Sequence, residues 1–86
     1  MAWVYILHTE SGKYYIGSTS ELEVRLKHHF DGHTPTTKRL KAISLALAQE
    51  YKDLKTARAV ELKLKKLKRK DYIEKMIKDR YIRLVP

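Results

Sequence analysis

Trp3-Val4-Tyr5-Ile6-Leu7-His8, then Tyr14-Tyr15-Ile16-Gly17-Ser18-Thr19, then Ser20-Glu21-Leu22-Glu23-Val24-Arg25-Leu26-Lys27-His28-His29-Phe30 form the stretch whose reading decides the fold. The first run is short, β-branched, aromatic and nearly all apolar, which predicts a buried strand over 3–8. Glu10-Ser11-Gly12-Lys13 supplies turn chemistry, with Gly12 the candidate positive-φ residue. Residues 14–18 read as the partner strand of a hairpin. Period-2 alternation puts Trp3, Tyr5 and Leu7 on one face and Val4, Ile6 and His8 on the other, and gives Tyr15 and Gly17 a common face. Whether Tyr5 meets Tyr15 depends on register, which alternation does not fix.

Ser20 and Glu23 form a capping box, with acids in the first turn where the helix dipole favours them, so a helix is expected from there to about Phe30, with Gly32 as a stop. Leu22, Leu26 and Phe30 make its apolar stripe. Arg25 and His29, four residues apart, share one edge of that stripe and are expected half-buried against the sheet. Residues 31–41 are turn-rich and basic and predict a mobile loop presenting Lys38, Arg39 and Lys41. Residues 42–51 suit a strand by alternation and a helix by their alanines and leucines; the strand is preferred because a two-stranded hairpin alone is marginal.

Asp53 is a cap for a helix over Leu54–Leu67 with a stripe of Ala57, Val60, Leu64 and Leu67. Glu61 adjoins that stripe. A last helix, about Tyr72 to Arg80, is expected to bury Tyr72, Ile73, Met76 and Ile77, with Asp71 and Glu74 as its capping pair. The link Lys68-Arg69-Lys70 is a dense basic run, and residues 81–86 are expected to fray or to add a short extended piece.

With 86 residues and 43% hydrophobic content, the chain is expected to form one small α/β domain over 1–86, a three-stranded, mainly antiparallel sheet flanked by three helices. No apolar run is long enough for a spanning helix, and the start of the chain lacks the charged and cleavable features of a secretory signal. Cysteine is absent, which removes disulfide scaffolds, thiolate zinc sites and cysteine nucleophiles and fits a cytoplasmic location. His28, His29 and His33 make a poor zinc set, since the first two are adjacent on a helix and no cysteine helps. The net charge of +9 points to a polyanionic partner, most commonly nucleic acid, with solubility alone or an anionic membrane surface as other readings.

The order of elements and the residues on them resemble the GIY-YIG nuclease superfamily, in particular its short stand-alone bacterial members and the N-terminal nuclease module of the excision-repair incision enzyme. The resemblance runs from Trp3 to about Met76. Tyr15-Ile16-Gly17 is the second signature triplet in full, and Tyr5 takes the place of the tyrosine closing the first. Arg25, eight residues past Gly17, matches the family's catalytic arginine. His29 matches the histidine of many members, and Glu61 the metal-ligand glutamate. The chain departs from the pattern where the first triplet reads Trp3-Val4-Tyr5, where the asparagine of several active members has no counterpart, and where Lys41-Ala42 replaces a Pro-Trp pair.

The resemblance implies a metal-dependent endonuclease hydrolysing phosphodiester bonds, with DNA the expected substrate, low sequence specificity and a role in repair or recombination. It implies that Glu61 holds one Mg²⁺ or Mn²⁺ largely through waters. Arg25 grips the phosphate. Tyr5 is the general base beside Tyr15, helped by a nearby cation because phenols titrate near pH 10, and His29 contacts the phosphate or assists proton transfer. Gly17 is a structural residue of the motif. Lys38, Arg39, Lys41, Lys63, Lys65, Lys66, Lys68, Arg69 and Lys70 are candidate contacts to the nucleic-acid backbone.

Each residue has a plainer reading. The tyrosines serve as core aromatics, Gly17 relieves crowding, Arg25 pairs with Glu21 or Glu61, and Glu61 pairs with Lys65 four residues on. The rival functions are a catalytically weak nucleic-acid-binding module on the same fold and a small protein-interaction domain. A protein partner or homodimer is an open expectation in each.

Overall fold

The computed structural model describes residues 1–31, 42–67 and 69–84. The candidate contacts Lys38, Arg39, Lys41 and Lys68, and the expected 31–41 loop from Gly32 onward, lie outside these residues. Strands β1 (Ala2–Thr9) and β2 (Tyr14–Thr19) form the hairpin. Gly12 takes φ +83° in its turn, closed by Gly12 N–H to the Thr9 carbonyl at 3.0 Å. Helix α1 spans Leu22–Phe30, strand β3 Ala42–Tyr51, helix α2 Leu54–Leu67 and helix α3 Lys70–Asp79. The sheet runs β2-β1-β3, antiparallel throughout, so the α/β architecture is the expected one and β1 is its central strand.

The two faces of the sheet do different work. Ala2, Val4 and Ile6 of β1, Ile16 of β2 and Leu47 of β3 pack against Ala57, Val60 and Leu64 of α2 and Ile73 and Met76 of α3. Val4, Ile6, Val60 and Leu64 are fully buried, and side chains of this size each contribute about 1.5–3 kcal/mol when removed from water. The opposite face of β1 carries Tyr5, which lies against α1. The sequence alternation of β1 therefore separates a structural face from the face that builds the candidate site.

Asp53 caps α2 as expected, its Oδ1 accepting the Thr56 N–H at 2.7 Å. Several expectations need correction. Helix α1 starts one residue late: Thr19 Oγ1 accepts the Glu21 N–H at 3.0 Å, Glu21 becomes the N-cap, and Ser20 and Glu23 form no capping box. The buried line of α1 runs Leu22, Leu26, His29, spacings of four and three, which leaves Phe30 exposed. Arg25 is exposed rather than half-buried.

In β3 a register shift opposite Ile6/Leu7 places Leu47 against Ile6 but Leu45 against Leu7. The irregularity reverses the alternation, so Leu45 and Leu47 do not share a face, and Leu45 is exposed.

In α3, Ile73 and Met76 point inward while Tyr72, one position off that line, is exposed with the Arg69 guanidinium 4.6 Å above its ring. Asp71 binds Arg69 at 3.1 Å and makes no cap. The helix ends at Arg80 in the left-handed region (φ 56°). Of the expected 81–86 tail, 85 and 86 lie outside the described residues, and 81–84 do not fray: Ile82 is buried, its N–H donates to Gln49 Oε1 at 2.7 Å, and Gln49 Nε2 donates to its carbonyl at 3.2 Å.

Candidate active site

Register answers the question that alternation left open. Tyr5 pairs with Gly17 across the β1–β2 ladder, and Tyr15 pairs with Leu7. The Tyr5 ring therefore lies over Gly17 and beside Tyr15, with ring centroids 6.4 Å apart and planes inclined by 29°. His29 enters from α1 and completes a three-ring cluster, 5.4 Å from Tyr5 and 4.8 Å from Tyr15. The Tyr5 hydroxyl and His29 Nε2 are 2.7 Å apart in a buried hydrogen bond.

Gly17 is required by this arrangement. A Cβ there would stand 2.6 Å from Tyr5 Cζ and closer still to the hydroxyl. Gly17→Ala is expected to push the Tyr5 ring off His29, cost about 1–3 kcal/mol of stability by overpacking and depress any Tyr5-dependent activity. Thermal denaturation together with an activity assay checks both effects.

Burial raises the Tyr5 pKa, and the neighbouring Tyr15 raises it further; the Arg25 charge works against this, and the Glu61 charge adds to it. Burial lowers the His29 pKa, with the positive charge of Arg25 and then of His28 acting in the same direction. At neutral pH the pair is thus a neutral phenol hydrogen-bonded to a neutral imidazole. The expectation that a nearby cation turns Tyr5 into a ready base is outweighed by burial. Arg25 nonetheless stands close enough to act on both groups, and it reaches solvent at a hollow of about 200 Å³ shared with Thr19, Glu21, Val24 and His28. Its expected bridges to Glu21 and Glu61 are not among the ion pairs of the described residues.

Glu61 approaches from the other side of the sheet. It lies on α2 beside β2, and its Oε1 accepts a short hydrogen bond from the Ser18 hydroxyl. Its Oε2 holds the Lys65 ammonium at 2.6 Å, so the plainer reading of an i, i+4 pair is present in the structure. The carboxylate is largely covered (16% exposed) while Lys65 is open to solvent (52%).

Among the described residues no group of three or more His, Cys, Asp or Glu side chains could hold a metal ion. One anchored, largely covered carboxylate suits a hard ion that keeps most of its waters, and the seat beside Oε2 already accommodates a positive charge, the half-exposed Lys65 ammonium. The donor set therefore fits Mg²⁺ or Mn²⁺ and does not fit zinc.

The structure brings Tyr5, Tyr15 and His29 into contact and places Arg25 and Glu61 where their charges act on Tyr5. Lys65, Arg69 and Lys70 line clefts along the β2 edge, whereas Lys63 and Lys66 are exposed on α2 and line neither of these. Two residues escaped the sequence reading. Ser18 faces α2 because it shares parity with Ile16, and a polar residue at that position of β2 was the available signal. Lys13 lines a cleft from the hairpin turn, and nothing in its local sequence marks it.

A family model described as the GIY-YIG catalytic domain matches residues 1–77. No significant match was found among curated proteins or among solved structures. The family match covers nearly all of the described fold, including β1, β2, α1 and α2, which together carry every residue of the cluster. The chain belongs to the GIY-YIG family, whose catalytic domain is of nuclease type.

Proposed function

We propose that the chain, as one domain over residues 1–86, is a metal-dependent endonuclease that hydrolyses phosphodiester bonds, with DNA as substrate, low sequence specificity and a cytoplasmic role in repair or recombination. The observation that carries this reading is the buried Tyr5–His29 hydrogen bond beside an arginine and an anchored carboxylate. Family membership supports nucleic acid as substrate and a divalent metal as cofactor.

Glu61 would hold Mg²⁺ or Mn²⁺, with Ser18 fixing its orientation and Lys65 giving up its place; the ion supplies charge neutralisation and a more acidic water. Arg25, exposed and always charged, binds the non-bridging oxygens of the scissile phosphate and stabilises the negative charge that grows there. Tyr5 accepts a proton from the attacking water as its own proton passes to His29 Nε2; the water oxygen bonds to phosphorus, the P–O bond to the leaving sugar oxygen breaks, and that oxygen takes a proton from solvent. This relay avoids a standing phenolate, which burial opposes. Tyr15 packs against both rings and holds them in line.

Arg25→Lys is the first test of this reading, because lysine keeps the charge and loses the planar fork. Cleavage of plasmid and branched DNA with Mg²⁺ is expected to fall about 100-fold, with the melting temperature unchanged because Arg25 is exposed. Full activity in Arg25→Lys would remove Arg25 from the phosphate.

A further inference from the structure

Two clefts lie along β2 and share Tyr14 and Ile73 in their walls. The first, about 310 Å³, is lined by Tyr14, Tyr15, Ile16, Leu64, Lys65 and Ile73. The second, about 630 Å³, shares Tyr14 and Ile73 and continues to Lys13, Arg69 and Lys70. The groove thus begins at Lys65, the ion-pair partner of Glu61, and leads away to three further cations. Among the described residues no acidic side chain lines either cleft. We infer that this groove, named on the strength of the nuclease reading, seats the sugar–phosphate backbone of a nucleic-acid strand on one side of the scissile phosphate.

Charge and length agree with that occupant. Clefts lined by one sign of charge concentrate the opposite charge. Lys13 makes no ion pair among the described residues. Arg69 holds Asp71 at 3.1 Å and Lys70 holds Glu74 at 4.0 Å, but both pairs are exposed, and exposed pairs of this kind are worth at most about 1 kcal/mol, a small cost against a phosphate contact. From Ser18, which touches Glu61, back to Tyr14 is four strand residues, about 13 Å, long enough for more than one nucleotide of backbone. Tyr14 stands at its middle with the Lys70 ammonium 5.9 Å from its ring centre, an aromatic and cationic surface suited to a base and its phosphate.

The test measures binding of wild-type protein in EDTA to fluorescein-labelled single-stranded and duplex oligonucleotides over a range of salt. The groove triple Lys13→Ala/Arg69→Ala/Lys70→Ala is compared with an equal charge change elsewhere, Lys52→Ala/Lys55→Ala/Lys78→Ala, where all six side chains are exposed. The groove triple is expected to flatten the slope of log affinity against log salt by about 2 on single strands and somewhat more on duplex. The control triple should leave it unchanged.

Because the chain has no cysteine, Ser11→Cys carrying a photo-crosslinker gives a second reading independent of affinity. It should crosslink to the oligonucleotide, and Lys52→Cys should not. Equal slopes for the two triples, or equal crosslinking at both positions, would overturn the groove while leaving the nuclease reading intact. No binding by wild-type protein would overturn both.

Discussion

Glu61→Gln is expected to lower metal-dependent cleavage by about 1,000-fold or more, the equivalent of about 4 kcal/mol of charge stabilisation, with little change in stability. The amide is nearly isosteric, and its oxygen can still accept the hydrogen bond from Ser18. What it loses is the ion pair to Lys65, a partner half open to solvent, and such pairs contribute at most about 1 kcal/mol. A neutral amide does not hold a hard divalent cation, so the effect falls on the metal and not on the fold. Lys65→Met works in the reverse sense: with its competing ammonium removed, Glu61 should bind Mn²⁺ more tightly in the absence of nucleic acid. Manganese titration followed by magnetic resonance reads both variants. Unchanged cleavage in Glu61→Gln would assign the carboxylate to the Lys65 pair alone.

Tyr5→Phe is expected to cost about 100- to 10,000-fold in cleavage, the range for a positioned proton-transfer group, and about 1 kcal/mol in stability from the hydrogen bond lost to His29. The ring and its packing over Gly17 survive, so the loss reports the hydroxyl. The pH profile of the wild type carries the same information. His29 is held below its ordinary value of 6.5 and Tyr5 above its ordinary value of 10.0. Cleavage should therefore be flat across neutral pH, with its acid limb below 6.5, where His29 takes a proton and can no longer accept one from Tyr5.

Stability follows the same sign. As pH falls through 6.5 the unfolded imidazole binds a proton that the folded one resists, so the folded state loses stability on the acid side. Residual cleavage by Tyr5→Phe should lack that acid limb, and a limb that persists would separate His29 from the relay.

Much of this arrangement is legible in the residues because it depends on short-range rules. Alternation in β1 sorts Val4 and Ile6 from Tyr5, and the sheet keeps that sorting. Asp53 caps α2, and the stripe Ala57, Val60, Leu64 buries as its spacing requires. The misreadings lie where a neighbour overrides a local rule. Thr19 takes the Glu21 N–H and displaces the Ser20 cap. His29, fastened to Tyr5, turns the buried line of α1 away from Phe30. An irregularity in β3 reverses the alternation at Leu45.

Within the candidate site, the spacing of Tyr5, Tyr15, Gly17, Arg25, His29 and Glu61 was readable, but their electrostatics were not. Burial of Tyr5 depends on three elements meeting, and a linear pattern of residues carries no measure of that desolvation. Ser18 was missed for the same reason, since its role exists only once α2 lies across β2.

The proposed activity of these residues is that of a metal-dependent phosphodiesterase. Its most direct test is incubation of wild-type, Glu61→Gln and Tyr5→Phe proteins with plasmid, duplex, single-stranded and branched DNA and with structured RNA, each with Mg²⁺, with Mn²⁺ and with EDTA. The wild type is expected to give products that require metal and vanish in both variants, while salt-dependent binding persists in all three proteins. Equal, salt-dependent binding by all three with no cleavage of any substrate would contradict that activity, and would make the chain a nucleic-acid-binding module on a nuclease fold.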